Sequence, residues 1–270
     1  MNIGRIGYEQ IAAQDATAAA RSWWDDNSTD YFDDNGAFLK ESTFFWGPEG
    51  VTEEQLQLLT GSLHFDNVKI LEIGSGAAQC SRWLKRRGAH VLATDLSFSM
   101  LQHSHRIDSS DTSHTPVPLV QADAQKLPFC DDAFDVVFTS FGAIPFVADV
   151  DRIHSEVFRV LRPGGRWVYS TTHPARWMFP DDPTRHGMSI QRSYFAREPY
   201  VEFDANGKVE YAEFHRTVGD HVRSVVTAGF ALTDLIEPEW PAHNTNVWGG
   251  WGPERGAYLP GTLIVVADKA

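Results

Sequence analysis

The sequence predicts an α/β fold built on a mostly parallel sheet. Short apolar runs end at glycine or aspartate, helical stretches separate those runs, and Gly, Pro or Asn marks the junctions. Strands that alternate with helices make βαβ units, whose sheet carries helices on both faces.

The first 66 residues stand outside that alternation. Ala-rich residues 9–24 predict a helix, and Thr52-Glu53-Glu54 begins a second, short one before Gly61. Aromatic residues such as Trp23, Trp24, Tyr31 and Trp46 are frequent, so residues 1–66 read as an N-terminal helical cap rather than as the start of a sheet. From residue 68 the pattern changes. Val68–Ile73 is an apolar run that stops at Gly74, as a buried parallel strand should. A helical stretch follows to Arg87, closed by Gly88 at a position that tolerates left-handed backbone. Val91–Thr94 is the next strand and ends at Asp95, after which Ser97 can cap a helix to about His105. Val117–Gln121 and Phe134–Thr139 are the third and fourth strands. Residues 149–161 carry a helical apolar stripe of Val150, Ile153, Val157, Val160 and Leu161, and Pro163-Gly164-Gly165 ends it before a fifth strand, Arg166–Thr171.

Beyond residue 173 the alternation breaks. An insertion over about residues 174–215 contains a hairpin, in which Tyr200–Asp204 and Lys208–Phe214 alternate apolar and polar residues around Asn206-Gly207. Thr217 and Asp220 fit a capping box for a helix that stops at Gly229. Ala231–Ile236 and Thr262–Ala267 are the last two strands. The Gly/Pro-rich segment between them holds Trp240, Trp248, Trp251 and Tyr258, and a loop of that length is uncommon unless it has a function. Residues 67–270 thus form the main domain, with the insertion as a lid.

The strongest chemical signal is Glu72-Ile73-Gly74-Ser75-Gly76, directly after a strand and before a helix. Glycines here let the backbone turn sharply and approach a ligand at the carboxyl edge of the sheet. A dinucleotide fingerprint would place a third glycine at position 79, where this chain has Gln79, so a nicotinamide dehydrogenase is disfavoured. S-adenosylmethionine has no phosphate, and Glu72 suits the ammonium of its methionine part. Asp95 lies 95 − 74 = 21 residues beyond the first glycine, where an acidic side chain can accept both ribose hydroxyls. Leu96 and Met100 can pack on the adenine face, Asp123 can accept from the adenine amino group, and the Ala124 amide can donate to the ring. Ser140 and Phe141 end the fourth strand and would close over the methionine end.

With these pieces in place, the sequence resembles the class I S-adenosylmethionine-dependent methyltransferases, in the small-molecule branch that includes menaquinone- and ubiquinone-biosynthesis enzymes. LEIGSG, TDLS-x2-ML, ADAQKLPF, FDVVFTSF and EVFRVLRPGG occur in the family's order and cover roughly residues 68–172. The resemblance implies a Rossmann-like sheet of seven strands with the last one antiparallel. It also implies that the poorly matching regions, 1–66 and 173–260, determine the substrate.

Composition narrows the acceptor. A formal net charge of −13 repels phosphate backbones, so nucleic acid is a poor partner and a small uncharged molecule a better one. There is no run of about 20 apolar residues to span a membrane. Cys80 and Cys130, without a neighbouring Cys/His cluster, suggest neither a disulfide framework nor a metal site, and fit the cytoplasm. A base is needed only if the acceptor must lose a proton. His173, after the fifth strand, and His215, before the helix at 218, are the candidates, with a structural or surface role the favoured alternative for each. Trp248, Trp251 and Tyr31 are candidate substrate walls. The expected activity is methyl transfer to an apolar or aromatic small molecule. Two alternatives stay open: binding of the cofactor without catalysis, as a sensor or partner subunit, and methylation of protein or nucleic acid. Oligomeric state is not legible.

Overall fold

A computed structural model describes residues 4–110 and 115–270. In chain order the elements are β1 (Ile6–Tyr8), α1 (Ala13–Leu39), α2 (Glu53–Leu56), β2 (Lys69–Ile73), α3 (Gln79–Lys85), β3 (His90–Asp95), α4 (Phe98–Ser110), β4 (Leu119–Gln121) and β5 (Phe134–Ser140). Then come α5 (Val150–Val160), β6 (Leu161–Thr172), β7 (Tyr200–Phe203), β8 (Val209–Glu213), α6 (Val218–Thr227), β9 (Phe230–Ile236), α7 (Pro253–Gly256) and β10 (Thr262–Lys269).

Seven strands form the main sheet in the order β4-β3-β2-β5-β6-β10-β9, and β10 runs antiparallel to both of its neighbours. This is the Rossmann-like arrangement the sequence implied. The apolar runs explain why both faces are covered. Leu71, Ile73, Val137, Trp167 and Val265 face one side, where the stripe of α5 (Ile153, Val157, Val160) and Val225 of α6 pack on them. Their neighbours Ile70, Val136, Phe138, Val168 and Ile264 face the other, against Phe44, Trp46 and Leu59 from the N-terminal region and Trp83 and Leu84 of α3. The chain runs outward from β2 to β4 and then returns to β5 on the other side of β2. That reversal opens a crevice at the carboxyl ends of β2 and β5, the place where α/β sheets bind ligands.

Outside the core sheet the structure corrects three expectations. The N-terminal region is not purely helical: β1 pairs antiparallel with β7, Tyr8 opposite Tyr200, in a second sheet ordered β1-β7-β8. Three residues containing Gly7 show no period of their own, so this strand exists only through its pairing. Helix α1 extends fifteen residues past position 24, to Leu39, through weak helix formers such as Asp25, Asn27, Thr29 and Gly36. Tertiary contacts hold that second half. Phe32 stacks on His103 of α4 with ring centroids 4.0 Å apart, and Asp25 binds the start of α4. Finally, β6 begins at Leu161 rather than Arg166. Leu161 pairs with Phe134 and Arg166 with Val136, so the Pro163-Gly164 turn is a bulge within the strand's span.

Candidate active site

The glycine loop after β2 is where the site begins. Gly74 and Gly76 have φ of +61° and +53°, a region costly for other residues. A Cβ on Gly74 would sit 3.1 Å from Ala143, whereas one on Gly76 would meet nothing within 4 Å. The first glycine therefore lets β2's loop lie against the loop after β5, and the second leaves backbone open to a ligand. Across from it Phe141 is held at φ +57°, uncommon for a bulky residue, with its N–H donating to Ser170 Oγ at 2.8 Å. Ser140 Oγ donates to the Phe45 carbonyl and ties β5 to the N-terminal region.

Asp95 organises the next turn. Its Oδ2 accepts the Gly76 N–H at 2.8 Å and its Oδ1 accepts the Ser97 N–H at 2.8 Å, which leaves lone pairs on both oxygens. Ser97 Oγ accepts from Met100 N and donates to Asp25 Oδ1 at 2.6 Å, and Asp25 also accepts the Ser99 N–H at 3.0 Å. The cap helix is thus tied, through one serine, to the carboxylate beneath the glycine loop. Nothing in the sequence marked Asp25 for this, because its partners lie more than seventy residues away. Asp123 accepts from the backbone and side chain of Gln125. Glu72 is almost fully buried and accepts the N–H and hydroxyl of Ser81 through one oxygen.

These groups open on one cavity of about 400 Å³, within the usual range for small-molecule sites. Glu72, Gly74, Ser75, Gly76, Asp95 and Leu96 line it, as do Met100, Asp123, Ala124, Ser140 and Phe141. Tyr31, Trp248 and Trp251 line it too. Trp248 lies 5.6 Å from Phe38, 5.7 Å from Phe141 and 6.4 Å from Tyr31, while Trp251 is almost fully buried. The two histidines are the exception, and the base role expected of them is corrected. Neither lines the cavity. His173 Nδ1 accepts the Ala175 N–H, so Nε2 carries the proton and donates to Glu237 Oε1 at 2.7 Å. His215 Nε2 donates to the Tyr194 carbonyl, wedged between Tyr194 and Trp177. Burial lowers both imidazole pKa values, against the pull of these partners.

Sequence reading missed Trp23, Phe146, Arg176, Tyr211 and Glu213, all on the wall. Hairpin alternation does put Tyr211 and Glu213 on one face of β8, but not which face meets the cavity.

A model of the family described as "Methyltransferase domain" matches residues 71–169, which hold the glycine loop, Asp95, Asp123 and Phe141. The demethylmenaquinone methyltransferase of Streptomyces avermitilis is 42% identical over 107 residues, 39% of this chain and 43% of that protein. The chain therefore spans less than half the length of this curated relative. The S-adenosylmethionine-dependent methyltransferase of Mesorhizobium loti superposes over 82% of this chain and 100% of its own, with a TM-score of 0.62 and 28% identity. The chain thus matches a methyltransferase domain over residues 71–169 and is similar in fold to an S-adenosylmethionine-dependent methyltransferase. Its fold, cap included, also matches 1,6-didemethyltoxoflavin-N1-methyltransferase of Burkholderia thailandensis, over 98% of this chain and 95% of that one, at a TM-score of 0.59 and 16% identity.

S-adenosylmethionine is the cofactor for which the Mesorhizobium loti protein is named, and the residues present here fit it. Ser75 Oγ and Gln79 Oε1 are buried on the cavity wall without a hydrogen-bond partner among the described residues. Such groups are costly unless a polar ligand satisfies them. Burial pushes Glu72 up to about 8, against the pull of Ser81 and Arg82, and Asp95 up to about 6, against its backbone hydrogen bonds. A cationic ligand favours their ionised forms. Cofactor affinity should therefore rise with pH, by up to about tenfold per unit for each proton released, as pH passes through these two values, and level off above. Calorimetry across that range checks it; an affinity independent of pH would remove both carboxylates from the binding of positive charge.

Proposed function

We propose that the chain is a small-molecule methyltransferase whose acceptor is apolar or aromatic. The observation that carries this reading is the continuity of one cavity: the wall of glycine loop, Asp95 and Asp123 runs directly into a wall of Trp23, Tyr31, Phe146 and Trp248. Glu72, Ser75 and the loop amides would receive the methionine end, Asp95 the ribose, and Leu96, Met100, Asp123 and Ala124 the adenine, with Ser140 and Phe141 closing over. When bound, the cofactor supplies a methyl group on a positively charged sulfur that leaves readily. The protein's part is then to align the acceptor and exclude water, which raises the rate without a metal ligand set or nucleophile. The regions 1–66 and 174–215 act as cap and lid over residues 67–270 in this reading. A curated relative named for demethylmenaquinone supports a small-molecule acceptor. The net charge of −13 weighs against nucleic acid. Among the described residues no helix is long and apolar enough to cross a membrane.

The test is to incubate purified protein with S-adenosylmethionine and fractionated metabolite extracts and to follow S-adenosylhomocysteine. Release that depends on a fraction supports the enzyme. Tight cofactor binding without release from any fraction supports a non-catalytic binder instead. Trp248→Ala should reduce acceptor-dependent turnover about tenfold or more while keeping cofactor affinity within about threefold, since the ring lies on the acceptor wall. An equal loss in both would place Trp248 at the cofactor.

A further inference from the structure

Strand β8 presents two polar groups to a wall that is otherwise largely aromatic. Tyr211 and Glu213 share one face of the strand and line the cavity, while Ala212 between them packs on Val201 and Phe203. The small sheet is held by its backbone ladder and by that apolar face. Tyr211 lies against Trp23 of α1 at 5.0 Å and Phe146 at 5.9 Å, and its hydroxyl donates to Glu213 Oε1. Arg176, also on the wall, pairs with Asp181 at 3.2 Å rather than with Glu213. Glu213 holds the Tyr211 hydroxyl through Oε1 and, among the described residues, makes no ion pair, so an oxygen is left for a ligand.

We infer that Glu213, assisted by Tyr211, anchors the acceptor: it accepts the hydrogen bond of a hydroxyl or ring N–H on a small aromatic molecule and takes that proton as the methyl group arrives. This rests on the small-molecule methyltransferase reading. The step balances. A bond forms between the acceptor's oxygen or nitrogen and the methyl carbon, and the carbon–sulfur bond breaks with its electron pair returning to sulfur. The acceptor's proton passes to the Glu213 carboxylate and from there to water. The surroundings make Glu213 a stronger base than an exposed carboxylate. Burial raises the Glu213 pKa, Arg176 and the Tyr211 hydroxyl pull it back, and Asp181 and Glu202 push it up again. Tyr211 itself is driven well above the ordinary phenol value by burial and by Glu213, so it remains a donor. Tyr200, on the same face, is occupied with Glu202 at 2.7 Å.

The experiment titrates the protein saturated with S-adenosylhomocysteine against matched aromatic pairs, 2-naphthol with 2-methoxynaphthalene and indole with 1-methylindole. The parent should bind the proton-bearing member of at least one pair roughly tenfold or more tighter, because a hydrogen bond to a charged acceptor is the strong kind. Glu213→Gln should reduce that preference to about threefold or less, and leave S-adenosylhomocysteine affinity within about twofold. Tyr211→Phe should keep the preference but move its loss on acidification to higher pH, because the donor that favours the ionised carboxylate is gone. A purely structural role for the pair would move neither. The inference is overturned if Glu213→Gln retains the full preference, if both members of every pair bind alike, or if no member binds at millimolar concentration. Failure of the parent to bind S-adenosylhomocysteine at all would strike the methyltransferase reading itself.

Discussion

Asp95→Ala should weaken cofactor binding by roughly 30- to 1,000-fold, which corresponds to about 2–4 kcal/mol for two hydrogen bonds to a charged acceptor. The effect has two sources. The ribose hydroxyls lose their acceptor, and the Gly76 and Ser97 amides lose the carboxylate that holds the loop and the start of α4 in place. Asp95→Asn separates them, since the amide oxygen can still accept from one backbone donor while the charge is gone. Calorimetry with S-adenosylhomocysteine measures both variants. Parent-like binding by Asp95→Ala would refute the ribose assignment.

Trp251→Ala should cost stability rather than chemistry. The Trp251 ring is only 5% exposed, and the Arg255 guanidinium lies 4.4 Å from its centre. Truncating a buried tryptophan costs about 3–5 kcal/mol, which for a chain of this size lowers the melting temperature by roughly 6–20 °C. Trp248 is only partly buried, so Trp248→Ala should melt close to the parent. Thermal unfolding of the two variants side by side decides the matter. If Trp251→Ala melts with the parent, the 240–258 loop is not held by that ring.

The parts of the fold that local chemistry determines were legible in the sequence. Parallel strands buried on both faces read as unbroken apolar runs, and Asn206-Gly207 and the Thr217–Asp220 box mark their turn and cap directly. The residues expected on the cofactor side share one cavity wall for the same reason, because a βα turn and the acidic ends of adjacent strands come from short stretches of chain. What escaped depends on distant partners. Ile6–Tyr8 becomes a strand only beside Tyr200–Glu202, and the polar second half of α1 stays helical only because Asp25 and Phe32 find α4. The histidines were misplaced because a position near the sheet's carboxyl edge does not say which way an imidazole turns. Glu237 and the Tyr194 carbonyl hold them off the cavity wall.

The single serine that joins Asp25 to Asp95 couples the cap helix to the turn beneath the glycine loop. Any free energy by which an occupied ribose site stabilises the Asp95–Ser97 turn is shared with the docking of α1, and the exchange is reciprocal: whatever factor cap docking contributes to cofactor affinity, cofactor binding returns to cap docking. Helix α1 also carries Trp23, Trp24 and Tyr31, so half of the acceptor wall rides on the element being tightened. Amide exchange along α1 should therefore slow when S-adenosylhomocysteine is added alone. By the same reciprocity, a molecule that binds against these rings and tightens α1 should raise S-adenosylhomocysteine affinity by the factor by which S-adenosylhomocysteine raises its own.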